Sequence, residues 1–123
     1  MFTGDGGLWY HVAELETAVR RRAPVVVVVN DNQALNQEIG PVSQAYGGEL
    51  GGHHEDLWHF GEVDFARLAE AAGAKALRVT RPEQLRGALM TAIEDAEASR
   101  LPVVVDVVTE RMATAPLAYL GEP

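Results

Sequence analysis

Val25-Val26-Val27-Val28-Val29, followed at once by Asn30-Asp31-Asn32, is the stretch on which the fold turns. Five β-branched residues in a row are stiff at χ1 and favour an extended backbone. A run without polar alternation belongs to a strand covered on both faces, as in a parallel sheet. The polar triplet then falls at the carboxyl end of that strand, where α/β sheets carry their ligand loops. Upstream, Val12, Leu15 and Val19 recur at helical spacing between Tyr10 and Arg22, and Pro24 stops the helix. Before that helix stands a second short polar motif, Gly4-Asp5-Gly6, which residues 7–29 separate from the triplet.

Downstream the pattern continues. Asp64 is placed to cap a helix in which Phe65, Leu68, Ala69 and Ala72 share a face, and Gly73 ends it. Ala76 to Val79 reads as a short strand. Thr80 to Ala98 reads as a helix with Leu85, Leu89, Ile93 and Ala96 on one side. Pro102 then leads into a buried strand, Val103 to Val108. Helices alternating with apolar strands give an α/β fold, a three-layer parallel sheet with helices on both faces. Residues 1–108 form one domain and residues 109–123 a C-terminal tail. The connection from Asn30 to Gly61 is long and glycine-rich, which marks a functional segment with room for one short helix. Only Met1, Phe2 and Thr3 precede Gly4, less than a usual strand, so the expectation is a domain truncated at its N-terminus.

With 18 acidic against 10 basic residues, the net charge of -8 excludes the basic stripe of a nucleic-acid-binding surface. There is no cysteine, hence no disulfide scaffold and no thiol nucleophile. The longest apolar run, Ala23 to Val29, is far below the ~20 residues of a membrane span. The expectation is a soluble, cytoplasmic protein without a membrane partner.

Either polar motif alone reads equally well as a turn. Together they place a carboxylate and a carboxamide at the ends of neighbouring parallel strands. Asp5 supplies one charged oxygen and Asn32 one neutral oxygen. Magnesium takes such hard ligands at about 2.0–2.1 Å and shares its shell with phosphate. Gly6 and Gly7 precede the helix, so their N–H groups are placed to meet a diphosphate.

Gly4-Asp5-Gly6, Glu14-Leu15, Ala18-Val19, the valine strand and Asn30-Asp31-Asn32 resemble the cofactor motif of thiamine diphosphate enzymes. The nearest branch holds the acetolactate synthases, pyruvate oxidases and decarboxylases. Residues 64–73 and 102–107 are also similar to it. The resemblance implies the diphosphate-binding C-terminal domain. It also implies Asp5, Asn32 and the Ala34 carbonyl as magnesium ligands, with Gly4, Gly6, Gly7, Leu35 and Asn36 around the diphosphate. Glycine often stands in the family where Asn36 stands here, and Asp31 replaces the first member of the usual Asn-Asn pair. Asp31 is read as a turn residue rather than a ligand.

The resemblance further implies thiamine diphosphate, Mg2+ and a 2-keto acid substrate, with FAD open in the parent enzyme. A pyrimidine-binding domain, of the parent enzyme or of a partner subunit, would supply the activating glutamate. The parent is expected to be at least a homodimer, and the fragment alone inactive. Asn36-Gln37-Glu38-Ile39-Gly40-Pro41 stands where acetolactate synthases have a Gln-Trp pair, so decarboxylation, another carboligation and oxidation remain open beside acetolactate synthesis. Two other readings stand: a non-catalytic phosphate- or nucleotide-binding α/β module, and a subunit of a split decarboxylase.

His53, His54 and His59 read as part of a polar surface loop, or as a loop that closes over the active site and brings one histidine to the substrate. His11 and the Trp9-Tyr10 pair either pack or border the cofactor pocket. Arg20-Arg21-Arg22 stand at a helix C-terminus, where cations are favoured. Glu55 and Asp56 read as a solvated acidic surface.

Overall fold

A computed structural model describes residues 1–49 and 51–111. The four strands are β1 (Phe2–Gly4), β2 (Val26–Asp31), β3 (Lys75–Val79) and β4 (Val103–Val108). All pairings are parallel, in the order β1-β2-β4-β3. The helices are α1 (Asp5–Trp9), α2 (Glu14–Arg20), α3 (Asn36–Ala45), α4 (Phe65–Ala71) and α5 (Pro82–Ser99). A 3-10 helix spans His53–Leu57. Among the described residues no helix is long and apolar enough to cross a membrane.

The three expected layers are present. On one face α1, α2 and α4 bring Leu8, Leu15, Phe65 and Ala69 onto Val27, Val29 and Val104. On the other face α5 lays Ala92 and Ala96 over Val103 and Val105. Val29, Val103, Val104 and Val105 are wholly buried. Full burial of such a side chain contributes roughly 1.5–3 kcal/mol, so β2 and β4 anchor the sheet. Among the described residues β1 is an edge strand with a neighbour on one side only, and Phe2 is 75% exposed.

Several boundaries differ from the sequence reading. The helix expected over residues 10–22 is shorter, α2 at Glu14–Arg20 after a turn at residues 10–13, and a separate short helix, α1, begins earlier at Asp5 itself. β2 starts at Val26 and runs on through Asn30 and Asp31. Only its α4-facing side is fully covered, by alternation of buried and half-buried residues. The long connection contains α3, with Pro41 inside it at the cost of one N–H donor. The helix expected over residues 80–98 begins two residues later, with Pro82 in its first turn.

Asp64 caps α4 as expected, its carboxylate accepting the Arg67 N–H at 2.9 Å. Gly73 ends that segment at φ +88°, where an added Cβ would also lie 3.3 Å from Val19 Cγ1. We expect Gly73→Ala to destabilise the fold by about 1 kcal/mol, read as a lower urea midpoint at unchanged slope. Of the tail, Thr109 to Arg111 are described and residues 112–123 lie outside the described residues.

Candidate functional site

The parallel pairing of β1 with β2 sets Gly4 opposite Asn30. Both motifs therefore meet at the same end of the sheet. They line one cleft of about 410 Å3, together with Asp5, Gly6, Gly7, Asn32, Ala34, Leu35, Asn36, Gln37 and Glu38. Every residue expected at the site thus lines this one cleft.

Asp5 is 2% exposed. Its Oδ1 accepts the Gly6 N–H at 2.7 Å and its Oδ2 accepts the Ala34 N–H at 3.1 Å. The carboxylate thus ties the first turn of α1 to the loop after β2, and each oxygen keeps a further lone pair. The Gly6 N–H is engaged with Asp5 rather than open to the cleft. Glycine is needed there for close approach, since a Cβ on Gly6 would come within 2.5 Å of Leu35 Cδ2.

The loop 32–35 is held from several sides. Gln33 sits at φ +58°, a left-handed conformation unfavourable for a side-chain-bearing residue. Its carbonyl accepts the Phe60 N–H at 2.8 Å, and its side chain accepts from Arg111 at 3.1 Å. Leu35 N–H donates to the Trp58 carbonyl at 2.7 Å, while Ala34 and His59 form an isolated antiparallel bridge. Ala34, Ile39 and Trp58 form a small apolar cluster beneath the loop. No backbone N–H among the described residues donates to the Ala34 carbonyl.

Carboxylate, carboxamide and carbonyl oxygens are hard donors, the set that suits magnesium rather than zinc. Among the described residues no group of three His, Cys, Asp or Glu side chains could hold a metal. The electrostatics favour a cation. Burial raises the Asp5 carboxyl above its usual value, and the N–H groups of Gly6 and Ala34 only partly oppose it.

Asp31 is not a turn residue. As the last residue of β2 it points to the α4 side and is 1% exposed, whereas Asn30 and Asn32 line the cleft. Neither of its oxygens has a hydrogen-bond partner of ordinary geometry, although the Gln33 N–H lies close enough to favour its charge weakly. Burial first, then the charges of Asp106 and Asp5, push its carboxyl up to about 6. The counter-charge comes from Arg78 on β3, 3.9 Å away. Sequence reading took Asp31 for a turn residue and passed over Arg78 and Asp106. Two aspartates closing or interrupting valine strands were the available signal.

The histidines divide. His53 is exposed. His54 is buried rather than part of a polar surface, stacked on Tyr46 at 4.6 Å and bonded to the Glu49 carbonyl at 3.1 Å. His59 lies 3.3 Å from Glu55, and none of the three lines the cleft. His11 and Tyr10 are exposed, and Trp9 packs edge-on against Phe65 at 5.3 Å. Arg20 pairs with Glu16 at 3.0 Å.

Residues 1–107 match the family described as thiamine pyrophosphate enzyme, C-terminal TPP binding domain. The chain is 35% identical over 108 residues to the acetolactate synthase isozyme 3 large subunit of Escherichia coli K12, covering 88% of this chain and 18% of that one. It is 36% identical over 104 residues to the putative thiamine pyrophosphate-containing protein YdaP of Bacillus subtilis, 85% of this chain and 16% of that one. The fold resembles benzoylformate decarboxylase from Polynucleobacter necessarius, with a TM-score of 0.73 at 21% identity over 94% of this chain and 20% of the other. It also resembles a thiamine diphosphate-dependent 4-hydroxybenzoylformate decarboxylase from Rhodococcus jostii, with a TM-score of 0.68 at 27% identity over 89% of this chain and 19% of the other. The chain spans about a fifth of the length of these relatives.

Proposed function

The chain belongs to the C-terminal TPP-binding domain family of thiamine pyrophosphate enzymes, and from that premise we propose that it is the diphosphate- and Mg2+-holding part of an enzyme acting on 2-keto acids, by acetolactate synthase-like carboligation or by decarboxylation. The observation that carries the reading is the meeting of Asp5, Asn32 and Ala34 in one cleft at the ends of two parallel strands. Asp5 brings the charge, Asn32 and the Ala34 carbonyl bring neutral oxygens, and diphosphate and water complete the shell.

Bound there, the cofactor would supply the nucleophilic carbon for attack on a keto group, chemistry no side chain performs. This chain's residues hold and orient it. Asp5 balances the metal's charge, Leu35 shields the loop from water, and Gly4 leaves the diphosphate room. The rest of the site, with the activating glutamate, comes from a pyrimidine-binding domain of the parent enzyme or a partner subunit. The parent is a cytoplasmic homo-oligomer. FAD, if the parent uses it, binds outside this domain.

Isothermal calorimetry tests the reading. Thiamine diphosphate is expected to bind in the presence of Mg2+ and not with EDTA. Binding that ignores the metal favours a generic phosphate-binding module, and no binding overturns the proposal. We also expect the 123-residue chain alone to release no CO2 from pyruvate with cofactor and Mg2+ present. Sustained turnover in that assay would show that a complete active site is carried here.

A further inference from the structure

Arg78 stands behind the cleft, on the far side of Asp31 from the cofactor face. The register sets Arg78 opposite Asp106 on β4, and Asp106 opposite Val29 on β2. Asp31 lies two residues beyond Val29 and shares its face. Three carboxylates thus converge on one guanidinium. Arg78 Nη1 donates to Asp106 Oδ2 and to the Val63 carbonyl, the latter at 3.3 Å. It lies 3.6 Å from Asp64 Oδ1, and Nη2 lies 3.9 Å from Asp31 Oδ2.

The three acids are not equally secured. Asp106 also accepts the Phe65 N–H at 3.1 Å, and Asp64 accepts the Arg67 N–H at 2.9 Å. Asp31 has the charge of Arg78 and, more weakly, the nearby Gln33 N–H, with no hydrogen bond of ordinary geometry to either oxygen among the described residues. A buried carboxylate that loses its counter-charge either takes up a proton or moves toward water. Asp31 adjoins Asn32, and the next residue is the strained Gln33 at φ +58°. Turning Asp31 outward would turn Asn32 out of the cleft and release that strain.

We propose that Arg78 is a positioning residue for the metal loop: it holds Asp31 inward and thereby keeps Asn32 and the Ala34 carbonyl aimed at the cation. This inference rests on the reading of the cleft given above. The test compares Arg78→Met, Arg78→Lys and the double variant Arg78→Met/Asp31→Asn. The readouts are circular dichroism, the Mg2+-dependent affinity for thiamine diphosphate, and hydrogen exchange at residues 32–34.

Arg78→Met should weaken that affinity by at least about 10-fold, as loss of a supporting partner does at other metal sites. Adding Asp31→Asn should bring it back to within about 3-fold of wild type, because a carboxamide needs no counter-charge. A merely structural Arg78 would not be rescued this way, since Asp106 still lacks its counter-charge in the double variant. Wild-type affinity in folded Arg78→Met, or no rescue, overturns the proposal. Should Arg78→Met fail to fold, Arg78→Lys decides: it keeps the charge on which Asp31 depends, so affinity within about 3-fold of wild type is expected, and a loss of about 10-fold or more in folded Arg78→Lys overturns the proposal. Wild-type protein that binds no cofactor would overturn the reading of the cleft instead. Exchange at residues 32–34 would then decide for Arg78 alone, faster in Arg78→Met and restored by Asp31→Asn.

Discussion

Asp5→Ala is expected to abolish Mg2+-dependent binding of thiamine diphosphate, lowering affinity by about 100-fold or more. Loss of groups that merely support a metal ligand costs roughly 10–100-fold, and Asp5 does more than support. In the proposed donor set it is the charged member, and it also accepts the N–H groups of Gly6 and Ala34. Removing it takes away the anion and unties the loop that aims the Ala34 carbonyl. Asp5→Asn separates the two losses. A carboxamide oxygen keeps one of those bonds and lacks the charge, so an intermediate affinity is expected. Calorimetry with saturating Mg2+ checks both variants, and wild-type affinity in Asp5→Ala would remove Asp5 from the site.

Asp31→Asn is expected to stabilise the metal-free protein at pH 7 by about 1–3 kcal/mol. The sign follows from proton binding. The Asp31 carboxyl titrates at about 6 in the fold against 3.8 for the free group. Between those values the folded state holds more protons than the unfolded chain, so stability falls as pH rises through the window. A shift of about two units corresponds to roughly 3 kcal/mol, and relaxation of the site reduces what is measured. Burial raises Asp5 and Asp106 too, and both add to the same trend. The metal-free protein should therefore lose stability from pH 4 to pH 7. Asp31→Asn should flatten that loss, and Mg2+ with cofactor should offset it by mass action. Urea titrations across this range measure it; an unchanged slope in Asp31→Asn would show that Asp31 carries no such penalty.

What was legible in the sequence was whatever a single period announces. The valine runs of β2 and β4, the helical spacing of α4 and α5, and the pairing of Gly4-Asp5-Gly6 with the asparagines all point to one fold and one cleft. What escaped was decided by neighbours distant in the chain. Asn30 and Asp31 look like loop residues because polar side chains usually end a strand. Pairing with Asn30 and Asp31 by β4 carries the strand through them instead. Alternation then sends Asp31 inward, to a place where only the fold brings Arg78, 47 positions later, within 3.9 Å. His54 likewise looks like loop polarity until Tyr46 and the Glu49 carbonyl are placed around it. The break between α1 and α2 escaped because Val12, Leu15 and Val19 keep a helical period through a turn.

β1 has a consequence for how the protein is handled. Its outer side presents peptide N–H and C=O groups along an edge unmatched among the described residues, with Phe2 exposed beside them and neither lysine nor proline among its three residues. Such an edge is a template for another strand, and natural sheets usually guard it. We expect copies of the chain to add to one another along this seam in concentrated solution, read as light scattering that rises with concentration. An appended strand that docks there, or a charge in place of Phe2, would be the first change to make for a soluble preparation.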